Sequence, residues 1–217
     1  MLAIGQHLRG DGLQDALLLI GIELGIQAQL HQQIGAVGHA VTPSADRIDP
    51  FLTPAERSDL LEQAANYLST LTDRRGFDAV GGWRHGVAHG ADLLMQLSLN
   101  SELDAKQQQR ILQAVATQVL ADGKQAYVFG EGQRLARPAL FAALRSDIDS
   151  AGWAAWLTTT LAPLGPPGTP IDAARLVRFH NAREFLWPLY FSIAEMKDEA
   201  ARQRLLPAVA QALKSLP

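Results

Sequence analysis

What most limits the fold of this chain is its lack of any sustained alternation of apolar and polar residues, the pattern that a half-buried strand needs. β-Branched residues are also sparse, and apolar residues instead return every three or four positions, the spacing of one helix face. Leu13 to about Gln33 reads as a helix, with Leu17, Ile20, Leu24 and Ala28 at that spacing. Thr53-Pro54-Ala55-Glu56 opens the next. Thr53 can cap, Pro54 suits the first helical position, and Glu56 completes a capping box. That helix is predicted to run to about Asp73, with Leu60, Leu61, Ala64, Leu68 and Leu71 inward.

Further helices follow from the same pattern. One spans about Trp83 to Leu99, and one capped by Asn100 or Ser101 runs to about Asp122. Others cover Gln133 to Arg145 and Trp153 to Leu161. Thr169-Pro170-Ile171-Asp172 repeats the cap-and-proline start and opens a helix to about Met196, with a kink expected at Pro188. The last helix covers about Asp198 to Lys214. Gly35 to Pro50 and Asp73 to Gly82 read as loops, and Tyr127-Val128-Phe129 as a loop anchor or one turn of strand. Residues 1–45 are weakly patterned, and residues 163–170 form a Pro/Gly-rich internal linker. The expectation is one all-α domain over residues 1–217, its antiparallel helix pairs stacked as a HEAT-like α-solenoid. A compact helical bundle is the alternative.

Composition narrows the function classes. With 217 residues, 47% of them hydrophobic, the chain can bury a sizeable core. Its net charge is −3 with no basic block, so no nucleic-acid partner is expected. It has no cysteine, which excludes disulfides, thiolate metal sites and cysteine nucleophiles. The apolar run Ala16 to Ile22 is broken by Glu23 and falls short of the roughly 20 residues a membrane span requires. No signal-peptide pattern precedes it, so a soluble, cytoplasmic protein without a membrane partner is expected.

Chemistry concentrates in Gly81-Gly82-Trp83-Arg84-His85-Gly86-Val87-Ala88-His89-Gly90-Ala91-Asp92-Leu93-Leu94. At about 100° per helical residue, His85, His89, Asp92 and Gln96 fall within roughly 60° of one another. Val87, Ala91 and Leu94 take the opposite side, and Gly86 and Gly90 share a third strip with Leu93 and Leu97. Two glycines one turn apart predict close approach of another element, because each costs a helix about 1 kcal/mol relative to alanine.

At residues Gly82 to Leu94 the chain resembles a bacterial domain-of-unknown-function family, the one numbered 2785. Asp49 to Thr53, Val128 to Ala136 and Asn181 to Tyr190 resemble it too, so the likeness covers about Asp49 to Ile193. The resemblance implies a mostly helical, HEAT-like, small soluble protein and no particular activity. The family pattern tends to carry an acidic residue where Gly132 stands, and residues 1–45 do not look like its usual amino-terminal helices.

Two imidazoles four apart on a helix can share a zinc ion, with Asp92 as third ligand. A metalloprotease would need a glutamate at position 86, and an adjacent His-Asp pair is absent because Gly90 and Ala91 separate His89 from Asp92. The structural alternative has the histidines bonding backbone groups and Asp92 pairing with Arg84 or Arg134. Trp83 either walls a pocket or, the favoured reading, seats the helix start in the core. Glu131 and Arg134 form a helix-start ion pair or line the same pocket. Asn181, beside His180, is a candidate clamp between helices. The preferred expectation is a helical-repeat protein whose polar groove binds a small polar ligand or a partner segment. Its candidate contacts are Trp83, His85, His89, Asp92, Glu131, Arg134 and Asn181. A metal-assisted hydrolase using a divalent ion on His85, His89 and Asp92 is the first alternative, and an interaction scaffold the second. No cofactor is expected under the preferred reading.

Overall fold

A computed structural model describes residues 43–216 other than 122, 146 and 167. The expected helix at Leu13 to Gln33 and the histidines at 7, 31 and 39 lie outside the described residues. Eight α-helices follow in order: α1 (Pro43–Ile48), α2 (Pro54–Thr70), α3 (Gly86–Ser98), α4 (Ala105–Val119), α5 (Glu131–Arg145), α6 (Ser150–Leu161), α7 (Ala173–Ala194) and α8 (Glu199–Lys214). A 3₁₀ turn, Ala162–Leu164, follows α6, and β1 (Phe77–Asp78) and β2 (Gly82–Trp83) form an antiparallel hairpin before α3. The described residues are therefore mostly helical, as the periodicity predicts. None of these helices is long and apolar enough to cross a membrane.

Side-chain caps set most helix starts. Thr53 and Glu56 form the expected capping box on α2. Asp104 and Gln107 form a second one on α4, so neither Asn100 nor Ser101 caps that helix. Asn100 is buried instead, and its amide donates to Asp46. Asp172, not Thr169, caps α7, because the Thr169 hydroxyl donates to the Pro166 carbonyl within the preceding turn. One further expectation is corrected: a short helix, α1, lies within the stretch read as loop. α7 runs through Pro188 as one element.

The core is continuous across the described residues and joins every helix from α2 to α8. α3 packs against α2 and α5, α5 against α4 and α7, and α8 against α6 and α7. Glycine permits two close contacts. A Cβ on Gly90 would sit 3.0 Å from Leu68 Cδ1 and 3.1 Å from Tyr67 Cε1, so the smooth strip of α3 is where α2 presses in. A Cβ on Gly132 would sit 2.6 Å from the backbone carbonyl carbon of Glu184, which explains why an acidic residue cannot stand there without moving α5 off α7. Tryptophan N–H groups tie the far end: Trp153 donates to the Leu205 carbonyl at 3.0 Å and Trp156 to that of Leu112 at 3.2 Å.

A polar knot fastens α1. Asp46 is 1% exposed and Arg57 4%. Arg57 meets the carboxylate through Nε at 2.7 Å and Nη2 at 3.1 Å. The Phe51 and Leu52 N–H groups and the Asn100 amide also donate to it. Burial alone would raise the Asp46 pKa, but Arg57 and these donors outweigh burial and hold it at about 2. Asp46→Ala leaves a buried guanidinium without its counter-charge, so urea unfolding at neutral pH is expected to show a loss of about 3–5 kcal/mol. Because the folded pKa lies below the unfolded value of 3.8, the wild-type contribution is present above that pH. It amounts to about 2 kcal/mol and is lost as pH falls towards 2.

Candidate functional site

The site is built on the hairpin and the first turns of α3. Asp78 shapes the hairpin turn by accepting from the Val80 and Gly81 N–H groups and from Arg84 Nε. The Gly76 carbonyl then accepts from the N–H groups of Arg84 at 2.9 Å and His85 at 3.3 Å, folding the chain back. A Cβ on Gly76 would collide with Glu131 and the Phe129 ring, so this return passes tightly under the start of α5. His85 occupies the N-cap position of α3 in the left-handed region, with φ 51° and ψ 23°. That conformation costs a non-glycine residue roughly 1 kcal/mol or more.

Trp83 therefore lies in β2 rather than in the helix, and it is 62% exposed. The expectation that it seats the helix start in the core is overturned, because the hairpin ends before α3 begins and turns the indole outward. Its ring stacks on His85 at 4.6 Å with planes 7° apart, and it meets Phe77 and Phe129 edge-on at 5.1 and 5.3 Å. His85 and His89 lie 5.7 Å apart, ring to ring. Tryptophan, the two phenylalanines and the two histidines thus form one connected aromatic surface.

Below it runs the expected polar stripe. His89 is 9% exposed, and Asp92 pairs with Arg134 Nη1 at 2.7 Å, choosing that arginine over Arg84. Arg84 pairs with Asp78 instead. Each residue of the stripe keeps one buried polar atom without a hydrogen-bond partner: His85 Nδ1, His89 Nδ1, Asp92 Oδ1 and Gln96 Oε1. Buried polar atoms ordinarily find partners, and an orphan costs about 1–3 kcal/mol. Burial pushes the His89 pKa down to about 4, helped by His85 and Arg134, so the imidazole is neutral at pH 7. Burial also raises the Asp92 carboxyl, against the pull of Arg134 and Arg137.

Of the remaining candidates, Arg134 joins the stripe through Asp92, whereas Glu131 and Asn181 bond the backbone of residues 125–129. Glu131 is 1% exposed and accepts from the Phe129 N–H at 2.9 Å; Arg134 turns to Asp92, and no ion pair joins them. Asn181 is fully buried, accepting from the Tyr127 N–H at 2.8 Å and donating to the Gln125 carbonyl at 3.0 Å. His180 Nε2 contacts the Tyr127 carbonyl at 2.9 Å. Asn181 thus ties α7 to the loop that carries Phe129, rather than one helix to another as the sequence suggested. Tyr127 is the loop anchor: it is buried, and its hydroxyl donates to the Gln118 carbonyl. Sequence reasoning missed the hairpin, Phe77 and the left-handed His85. The available signal was local, a turn-forming Asp78 and the Gly81-Gly82 pair.

As for metals, no group of three or more His, Cys, Asp or Glu is set to hold an ion among the described residues. Two concavities of about 450 and 330 Å³ lie on the neighbouring surface, where Gln133 of α5 meets Pro188 and Ser192 of α7.

In comparison with known proteins, the family model DUF2785, described as a protein of unknown function, matches residues 37–191. That span contains the motifs on which the resemblance was read. No curated protein and no solved structure matches the chain.

The His89 environment yields a pH test. In the unfolded chain this imidazole binds a proton below about 6.5, whereas in the folded protein it resists until about 4. Wild-type stability is expected to fall by about 3 kcal/mol as pH drops through that window. His89→Gln should flatten this part of the curve while leaving the Asp46 loss at lower pH unchanged. Urea unfolding across pH, with the His89 imidazole resonance followed in parallel, checks both.

Proposed function

The chain belongs to the DUF2785 family, and from that premise and the geometry of α3 we infer that it is a HEAT-like helical-repeat protein binding a small polar ligand. The ligand lies along His85, His89, Asp92 and Gln96. One observation carries this reading: four buried polar atoms without a hydrogen-bond partner, His85 Nδ1, His89 Nδ1, Asp92 Oδ1 and Gln96 Oε1, fall on one stripe of one helix, beside an exposed aromatic wall. A purely structural network would have closed those hydrogen bonds internally. A site that opens towards its ligand leaves such atoms buried and unpaired in the free protein, at a cost in stability. The repeat reading draws support from α3, α5 and α7 packing side by side in turn, with α2 and α4 behind.

The stripe has less to recommend it as a metal-assisted hydrolase. Asp92 Oδ2 is engaged by Arg134, and a dication there would displace or oppose a guanidinium. An interaction scaffold has its own observation in favour. Trp187 and Phe191 on α7 are 46% and 57% exposed and stack at 5.6 Å beside the larger concavity.

The test is a thermal-shift panel of small polar compounds at pH 7, spanning sugars, polyols, nucleosides, carboxylates, phosphate and polyamines, on wild type and on His89→Phe. At least one class is expected to raise the wild-type Tm and leave that of the variant unmoved. A compound that stabilises both proteins equally binds elsewhere and counts against the stripe. The variant alone, with an orphan atom removed, should melt no lower than wild type; a sharp loss of stability would favour the structural network. Elemental analysis of untagged protein offered zinc or manganese checks the metal alternative, and stoichiometric metal lost in a His85→Ala/His89→Ala variant would revive it.

A further inference from the structure

We propose that the groove between α5 and α7 receives the free carboxyl-terminal end of a peptide whose last side chain is apolar, with Arg137 holding the carboxylate. The groove is separate from the α3 stripe, and the proposal does not rest on the polar-ligand reading.

Room comes first. The concavities of about 450 and 330 Å³ adjoin, because Gln133, Pro188 and Ser192 line both. Each volume falls within the range of small-ligand sites, about 300–1,000 Å³. The smaller concavity follows α5 from Gln133 to Phe141, eight positions or about 12 Å at about 1.5 Å per residue. An extended peptide covers that distance in about four residues at about 3.3 Å each.

The lining divides into two halves. In the smaller concavity Met95, Ala136, Leu140, Phe141 and Pro188 present carbon surface, and Arg137 is the one charged residue of its lining. Arg137 is exposed and makes no hydrogen bond or ion pair among the described residues. Its charge reaches Asp92 through space, but Arg134 already holds that carboxylate at 2.7 Å. The larger concavity carries one charge of each sign, on Arg183 and Glu184, so it adds no net charge. Trp187 and Phe191 form its aromatic flank, stacked at 5.6 Å.

Charge selects the ligand. A guanidinium at an apolar hollow repels an ammonium and meets a carboxylate through parallel N–H···O bonds. A phosphate matches it less well, because its further oxygen and further charge would face carbon. The hollow therefore suits a carboxylate attached next to an apolar group. Where the concavities join, Gln133 and Ser192 can each donate and accept. Peptide N–H and C=O groups running away from the carboxylate pair with such side chains. A fatty acid would lay a tail over them and leave them unpaired. The aromatic flank then takes a side chain further back along the peptide.

The experiment follows fluorescence anisotropy of amino-terminally labelled tetrapeptide pools, randomised at three positions and ending in Leu, Phe, Asp or Lys, titrated with the full chain. Each pool is made with a free and with an amidated carboxyl terminus. A free Leu or Phe pool is expected to bind with an apparent Kd of about 100 μM or tighter, and amidation to weaken it about tenfold. Arg137→Gln should cause the same loss, and Arg137→Lys a smaller one, both with the wild-type Tm. Binding should shift the Trp187 indole resonance and leave that of Trp83 in place. No binding by either free pool, or binding indifferent to amidation or to Arg137→Gln, overturns the proposal. Equal binding of the Asp and Lys pools overturns the apolar requirement. Hexanoate that binds as tightly as the peptides overturns the peptide assignment and makes this a small-carboxylate site. His89→Phe should bind the peptides as wild type does, so failure here leaves the α3 stripe standing and failure of the stripe leaves the groove standing.

Discussion

The close approach of α2 to the glycine strip of α3 is the contact on which the rest of the site depends. Gly86 and Gly90 let Tyr67, Leu68 and Leu71 press against the helix backbone. With that strip occupied and Val87, Ala91 and Leu94 in the core, the helix has one orientation open to it. The stripe of His85, His89, Asp92 and Gln96 then faces α5, where Arg134 meets Asp92. A Cβ on either glycine would require Leu68, Leu71 and Tyr67 of this contact to give by a few tenths of an ångström. The penalty of about 1 kcal/mol per helical glycine is offset by this packing.

The local energetics at the stripe run against those of the knot at Asp46. Around Asp46 every donor finds the carboxylate, and the pKa falls to about 2. Around His89 burial dominates, the pKa also falls, but here it is the neutral form that is favoured, and one nitrogen stays unpaired. The first arrangement lowers the free energy of the folded state, whereas the second raises it. The fold thus satisfies one buried polar cluster completely and leaves four buried atoms of a second without a partner along a single helix.

Much of this was legible in residues. Thr53 with Glu56 marked the start of α2, the 85-89-92-96 spacing marked the stripe, and Gly86 with Gly90 marked the contact face. Asn181 stood out as polar among apolar neighbours, though it ties down a loop rather than a second helix. Other features were hidden because their cause is distant in sequence. Asn100 looks like a cap until Asp46, more than fifty residues earlier, takes its amide. Thr169 looks like a cap until its hydroxyl turns to the Pro166 carbonyl. Trp83 looks like a core anchor because tryptophan usually is one, and only the hairpin, held by Asp78 and the Gly76 carbonyl, turns it outward.

Sequence by itself determined the helical class, most helix positions, the stripe and the packing strip, because helical periodicity and capping act over a few residues and repeat. It could not determine which arginine Asp92 would choose, that Phe77 and Phe129 would join Trp83, or that His85 would be forced into a left-handed turn. Those outcomes depend on distances between α3, α5 and the 125–130 loop, set by packing that Gly132 and Asn181 permit from far along the chain. The tertiary structure also decided which polar atoms go unpaired. That is a property of what surrounds an atom in space, and the chain's order does not encode it locally.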